Sequence, residues 1–269
     1  MSRQDLGRER ARYDRAAINR RSMTPRLFAD QLDELADLFH PPYLRYRELI
    51  GALVERDDIV LEIGAGSGMH TRALAASAAK VVALDVSMES LRLCAAIAPK
   101  RIAAVCGDMA MLPFPDASFD VVASAGSLSY GDPLTVNREV FRVLRPGGTL
   151  LIVDSLNHNP VYRLNRWRHY RRGDRTRSTL LRMPTMGRIR AVCAPFGTSS
   201  VEYFGTYTFV HPALQRLAGD RRADRATAWL EEHLAVNRLA FKFVLVATDF
   251  RPERVINGPG NRRDRADVE

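Results

Sequence analysis

Val60-Leu61-Glu62-Ile63-Gly64-Ala65-Gly66-Ser67-Gly68 decides the fold of this chain. A short apolar run, Ile59 to Ile63, ends in a glycine turn, and a helical pattern from about Met69 to Ser77 follows. Glycines at 64 and 66 let backbone approach a ligand with no Cβ in the way. A plain strand-turn-helix can also hold three glycines. The dinucleotide fingerprint is GxGxxG. Here residue 69 is Met, the spacing is GxGxG, and Glu62 stands two residues ahead. That form favours S-adenosylmethionine (SAM) over a nicotinamide dinucleotide.

Outward from this turn the rhythm repeats. Val81–Leu84, Ile102–Cys106, Phe119–Ser124 and Thr149–Val153 read as strands. Helices are expected over Met88–Ala98 and Thr135–Leu144, the latter stopped by Arg145-Pro146-Gly147-Gly148. Near-continuous apolar strands alternating with helices predict an α/β fold, a parallel sheet covered on both faces. Beyond a basic stretch at 157–184, Met186–Ala194 reads as helix, Ser200–Phe209 as strand, Pro212–Ala235 as mostly helix and Phe241–Ala247 as a last strand. Upstream, Leu27, Leu32, Leu35, Leu38 and Phe39 recur at helical spacing before Pro41-Pro42, and a second helix is expected around 46–54. The expected organisation is a helical cap over 1–56, a main domain over 57–250 and a charged tail over 251–269 that should fray.

Asp85 ends the second strand about twenty residues after the glycine turn, where a carboxylate can accept from both ribose hydroxyls. It can equally be a surface acid before a helix cap at Ser87. Gly107-Asp108-Met109 follows the third strand. Asp108 can accept from an adenine amino group, and the Met109 N–H can meet a ring nitrogen.

The ordered set LEIGAGSG, ALDVS, GDMAMLPFPDASFDVV and EVFRVLRPGGTLLIV, across about residues 58–154, resembles the ubiquinone-biosynthesis type of class I SAM-dependent methyltransferases. The resemblance implies a Rossmann-like seven-stranded sheet with its last strand antiparallel. It implies that Glu62, Gly64, Ala65, Gly66 and Gly68 line the methionine part of SAM and that Asp85 holds the ribose. Val86 and Ser87 would flank the adenine, Asp108 and Met109 would grip its edge, and Ser124 would sit near the sulfonium. The loop Ser124-Ala125-Gly126-Ser127-Leu128-Ser129-Tyr130 departs from the (N/D)PP(Y/F/W) of adenine amino methyltransferases. No Pro-Cys nucleophile or acidic metal set is present, so no metal is expected.

What remains is a small-molecule methyltransferase working mainly by placement, with a base where an alcohol is methylated. Asp154-Ser155-Leu156-Asn157-His158 leaves the fifth strand at the ligand end of the sheet. His158 is the first candidate base, although it can also be a loop histidine satisfied by backbone. Asp154, Tyr130 and Tyr13 are the others. Tyr13 enters because Arg12-Tyr13-Asp14 lies in a segment resembling the N-terminal lid of related enzymes.

The charge is local. From Leu156 to Phe196 ten arginines face one acid, Asp174, so this stretch carries the whole net charge of +9. The run from Asn157 to Thr179 is loosely similar to methyltransferases of bacterial polysaccharide and natural-product pathways. Arg163, Arg166, Arg175 and Arg177 are expected to contact an anionic acceptor from a lid, or else to form a solvated face. The expected reaction is O-methylation of a sugar or natural-product intermediate, with N-methylation of an amine or amino sugar as the alternative. A nucleic-acid methyltransferase and a non-catalytic SAM-binding protein rank lower, and peripheral contact of the basic stretch with an acidic membrane stays open. Cys94, Cys106 and Cys193 show no metal or disulfide spacing, and no secretory signal or apolar span is evident, so a cytoplasmic location is expected.

Overall fold

The computed structural model describes residues 3–21, 40–173, 176–234 and 236–256. Seven strands form one sheet in the order β3-β2-β1-β4-β5-β7-β6. They are β1 (Ile59–Ile63), β2 (Lys80–Asp85), β3 (Ile102–Cys106), β4 (Phe119–Ala125), β5 (Leu144–Ser155), β6 (Phe196–Phe204) and β7 (Lys242–Phe250). β1 pairs parallel with β2 and β4, β2 with β3, and β4 with β5. β7 runs antiparallel to both β5 and β6. The expected class and the antiparallel strand are both present.

Period-two alternation within buried strands divides the core. Val60, Val81 and Val121 pack on one face with Tyr46 and Ile50 of α2 (Pro41–Leu53), Leu74 of α3 (Thr71–Ser77) and Leu91 of α4 (Met88–Ala95). Leu61, Ile63 and Val122 pack on the other with Val136 and Val140 of α5 (Pro133–Val143) and Ile189 and Val192 of α8 (Met186–Cys193). The basic stretch contains two helices, α6 (Pro160–Arg171) and α7 (Arg177–Leu181). α1 (Arg3–Arg21) packs chiefly on α4.

Some boundaries differ from the expectation for local reasons. Pairing of Phe119 with Leu144 precedes a register shift, so β5 begins before Gly147-Gly148 and bulges there. A Cβ on Gly148 would meet the Arg145 and Asp120 carbonyls at 2.8 and 2.9 Å. β6 occupies 196–204 rather than 200–209, and Thr206 instead donates its N–H to Glu231 at 3.0 Å. Gly219, at φ +78°, splits the expected 212–235 helix into α9 (His211–Ala218) and α10 (Asp220–Leu234). α11 (Pro252–Ile256) occupies the start of the expected tail. The apolar pattern from Leu27 to Phe39 and residues 257–269 lie outside the described residues. Among the described residues no helix is long and apolar enough to cross a membrane.

Candidate active site

A cavity of about 460 Å³ opens at the carboxyl ends of β1, β2, β4 and β5, where open α/β sheets bind ligands. Pockets that bury a small molecule span roughly 300–1,000 Å³. At one end lie Glu62, Gly64, Ala65, Gly66, Asp85, Val86, Asp108 and Met109, eight of the expected cofactor contacts. The glycine turn requires its residues: Gly64 and Gly66 have φ of +71° and +54°. A Cβ at Gly64 would strike the Ser127 Cβ at 2.3 Å, whereas the place of a Gly66 Cβ is free of protein within 4 Å. That turn is an open cradle of the kind a SAM methionine group needs.

Asp85 is fixed from both sides. Gly66 N–H donates to Oδ2 and Ser87 N–H to Oδ1, each at 2.9 Å. Burial raises its pKa against those hydrogen bonds. Glu62, fully buried, accepts from the Thr71 hydroxyl, and burial pushes its carboxyl up to about 8. Three of the expected contacts, Gly68, Ser87 and Ser124, are not among the cavity-lining residues. Gly68 packs against Ile97 and Cys94, where a Cβ would clash. The Ser87 hydroxyl caps α4 by accepting from Ser90 N–H at 3.1 Å and donates to Asp14 at 2.6 Å. The Ser124 hydroxyl is buried against that of Ser127 at 2.7 Å. Ala125, Gly126 and Ser127 line the cavity in place of Ser124.

Further along the sheet order, on the β5–β7 side, the cavity holds Asp154 and Lys242, and Tyr13, Tyr130 and Arg166 also line it. Asp154 is buried and accepts from the N–H groups of Leu128 (2.9 Å) and Ser155 (2.5 Å). Burial raises its pKa, and the charge of Lys242 opposes this. Lys242 pairs with Ser155 across β5 and β7, and its Nζ lies 4.6 Å from the centre of the Tyr43 ring. Arg166 donates to the Leu156 carbonyl at 3.2 Å.

α1 closes this space with one face, using Leu6, Glu9, Tyr13 and Ala17 at helical spacing. Tyr13 donates to the Tyr130 hydroxyl at 2.8 Å, and Arg12 donates to the same oxygen at 3.0 Å. Burial holds the Tyr13 phenol neutral, well above its ordinary range. Thr179, Leu180 and Met183 border the cavity from the basic stretch, and Ser178 donates to Asp5 at 3.0 Å, joining α7 to α1.

The remaining expected contacts fall differently. His158 is not part of the lining, and its Nε2 accepts the Met186 N–H at 3.1 Å at the start of α8. Its geometry is that of a loop histidine satisfied by backbone. Arg163 and Arg177 are exposed and away from the lining. Arg175 lies outside the described residues.

Sequence reasoning missed Lys242 and His70. A lysine inside the apolar run Phe241-Lys242-Phe243-Val244, in a chain whose basic residues are nearly all arginine, is the signal that marks the first. His70 lines the cavity, stacked on Tyr43 and edge-on to Tyr46, each at 5.3 Å. Both ring nitrogens are buried without a hydrogen-bond partner among the described residues. Burial, with Arg47 and Lys242 nearby, lowers its pKa to about 3. The unfolded chain binds a proton near pH 6.5 that the native state refuses. His70 therefore contributes stability above that pH, and the contribution is lost as pH falls towards 3. His70→Gln should remove about 2 kcal/mol of the destabilisation that wild type suffers between pH 7 and pH 5. Thermal denaturation across that range reads it, and parallel pH profiles would show that His70 is not held neutral.

A family model described as a methyltransferase domain matches residues 61–152. A putative 23S rRNA (guanine-N(1)-)-methyltransferase of Micromonospora griseorubida is 37% identical over 115 residues, covering 42% of this chain and 37% of its own. Demethylmenaquinone methyltransferase of Mycolicibacterium gilvum (strain PYR-GCK) is 42% identical over 98 residues, covering 36% and 42%. The matches thus span less than half of either relative. Geranyl diphosphate C-methyltransferase from Streptomyces coelicolor A3(2) superposes with a TM-score of 0.55 at 15% identity, covering 77% of this chain and 79% of that one. Residues 61–152 thus match the methyltransferase domain model, and the chain as a whole has the class I SAM-dependent methyltransferase fold.

Proposed function

We propose that this chain methylates a small anionic acceptor with SAM, at an oxygen of a sugar or natural-product intermediate; an amine or amino sugar is the alternative acceptor. The observation that carries the reading is one continuous cavity, lined by the glycine turn, Asp85 and Asp108 and, further along the sheet order, by Asp154 and Lys242, with Arg166 also in the lining. SAM, when bound, supplies a methyl group already activated on a sulfonium. The chain's own work is to align, exclude water and move one proton. α1 and α7 cover the cavity. Arg166 and Lys242 offer two cations to an acceptor phosphate or carboxylate. Asp154 takes the proton of the acceptor hydroxyl, for which a raised pKa suits it. The hydrogen bond from Tyr13, a phenol kept neutral by burial, to the Tyr130 hydroxyl holds α1 shut.

The two relatives act, by name, on ribosomal RNA and on demethylmenaquinone. The family match ends at Ile152, before Asp154, α6 and Lys242, so neither name carries an acceptor to this chain. Incubating a metabolite extract with methyl-labelled SAM and identifying the labelled product by mass spectrometry gives the acceptor. Lys242→Met and Arg166→Gln should each raise its KM by about 10–100-fold, the worth of a charge-assisted hydrogen bond, with the affinity for S-adenosylhomocysteine (SAH) unchanged. A neutral labelled product, or variants that weaken SAH instead, would overturn the anion subsite.

A further inference from the structure

α6 begins where the sequence dictates. The Asn159 side chain accepts from Val161 and Tyr162 N–H, and Pro160 opens the helix. One side faces inward: Tyr162 stacks on Phe241 at 4.7 Å, and Arg166 borders the cavity. At 100° per residue, Val161, Leu164, Trp167, Arg168, Arg171 and Arg172 fall on the opposite side. The three apolar side chains there are 44%, 50% and 46% exposed, yet α6 contains no acid and buries no residue. Arg171 lies over the Trp167 ring at 4.9 Å. Leu181, in the adjoining α7, is also exposed.

We infer that this outer face of α6 docks the protein on an anionic lipid surface, with the arginines at the headgroup phosphates and Val161, Leu164 and Trp167 among the upper acyl carbons. Two features choose lipid over nucleic acid. Aliphatic side chains between the arginines gain nothing from a phosphodiester backbone, but leave water beneath a headgroup layer. Tryptophan, with its apolar ring and polar N–H, suits that interface. Arg166 on the inner side sets the cavity one helix thickness from the docked face, so an acceptor held at a membrane surface would lie within reach. The inference does not rest on methyl transfer, because docking is measured without cofactor.

Flotation with vesicles of phosphatidylcholine, with and without phosphatidylglycerol, tests it. The protein should float only with phosphatidylglycerol present and should be released by salt. Arg168→Gln, Arg171→Gln and Arg172→Gln together should weaken binding on the order of 100-fold, with unchanged melting temperature and SAH affinity. In a Trp229→Phe protein, which retains Trp167 as its single tryptophan, brominated lipids should quench the fluorescence. No flotation, flotation unaffected by the triple variant, absent quenching, or tighter capture by an RNA or DNA oligonucleotide through the same arginines would each overturn the inference.

Discussion

Asp154→Asn is expected to lower kcat by about 10²–10⁴-fold, the usual worth of a positioned general base, while SAH affinity and melting temperature stay close to wild type. The side chain has two tasks, and the substitution separates them. Its carboxylate secures the loop after β4 through Leu128 N–H and the end of β5 through Ser155 N–H. Asparagine keeps one carbonyl oxygen for Leu128, so the loop and Tyr130 should stay in place. It cannot take a proton. Wild-type kcat should also fall at low pH as Asp154 becomes protonated, with a midpoint above the ordinary carboxylate range because burial raises this pKa. Loss of the acid limb in the asparagine variant would complete the case. Full activity in Asp154→Asn, or a large fall in melting temperature accounting for the lost rate, would remove the residue from proton transfer. An amine acceptor that is already neutral would give the first of these results, so the experiment also divides O- from N-methylation.

Asp85→Ala is expected to weaken SAH binding by at least about 10-fold and up to about 100-fold, from the loss of a partly buried acceptor worth ~1–3 kcal/mol. The carboxylate does more than face a ribose. By accepting from Gly66 and Ser87 it ties the glycine turn to the end of β2. Alanine leaves both N–H groups without that partner and frees the turn. Asparagine, which retains one acceptor, should fall between alanine and wild type. Calorimetry with SAH reads the series. An unchanged dissociation constant in Asp85→Ala would mean that the glycine-turn end of the cavity is not the ribose site.

The glycine-turn end of the candidate site was legible because its demands are local. A turn at positive φ selects glycine at 64 and 66, and a strand end selects where Asp85 stands, so spacing alone locates them. Side-chain direction at that end was less legible. Gly68 packs against Ile97, and the hydroxyls of Ser87 and Ser124 are taken up by Asp14 and Ser127, partners that no local pattern reports. The Asp154–Lys242 end depends on long-range pairing. Lys242 meets Ser155 only because β7 reverses beside β5, and no local pattern reports that register. His158 shows the same limit: its loop leaves β5 as expected, but tertiary packing delivers its ring to the N-terminus of α8. The arginine stretch was read as one unit, yet helical geometry divides it, sending Arg166 inward and Arg168 and Arg171 outward.

The reversal of β7 also fixes what can be transplanted. The family-matched stretch, 61–152, contains the glycine turn, Asp85 and Asp108, but the rest of the chamber wall is assembled from α1, the α6–α7 stretch and the first residue of a strand 90 positions further on. Those three pieces are separate in the chain and converge only after the sheet is complete. A chimera exchanging acceptor preference with another such protein must therefore move all three together, and a shortened chain ending after β5 would keep the cofactor motifs without the far wall of the chamber.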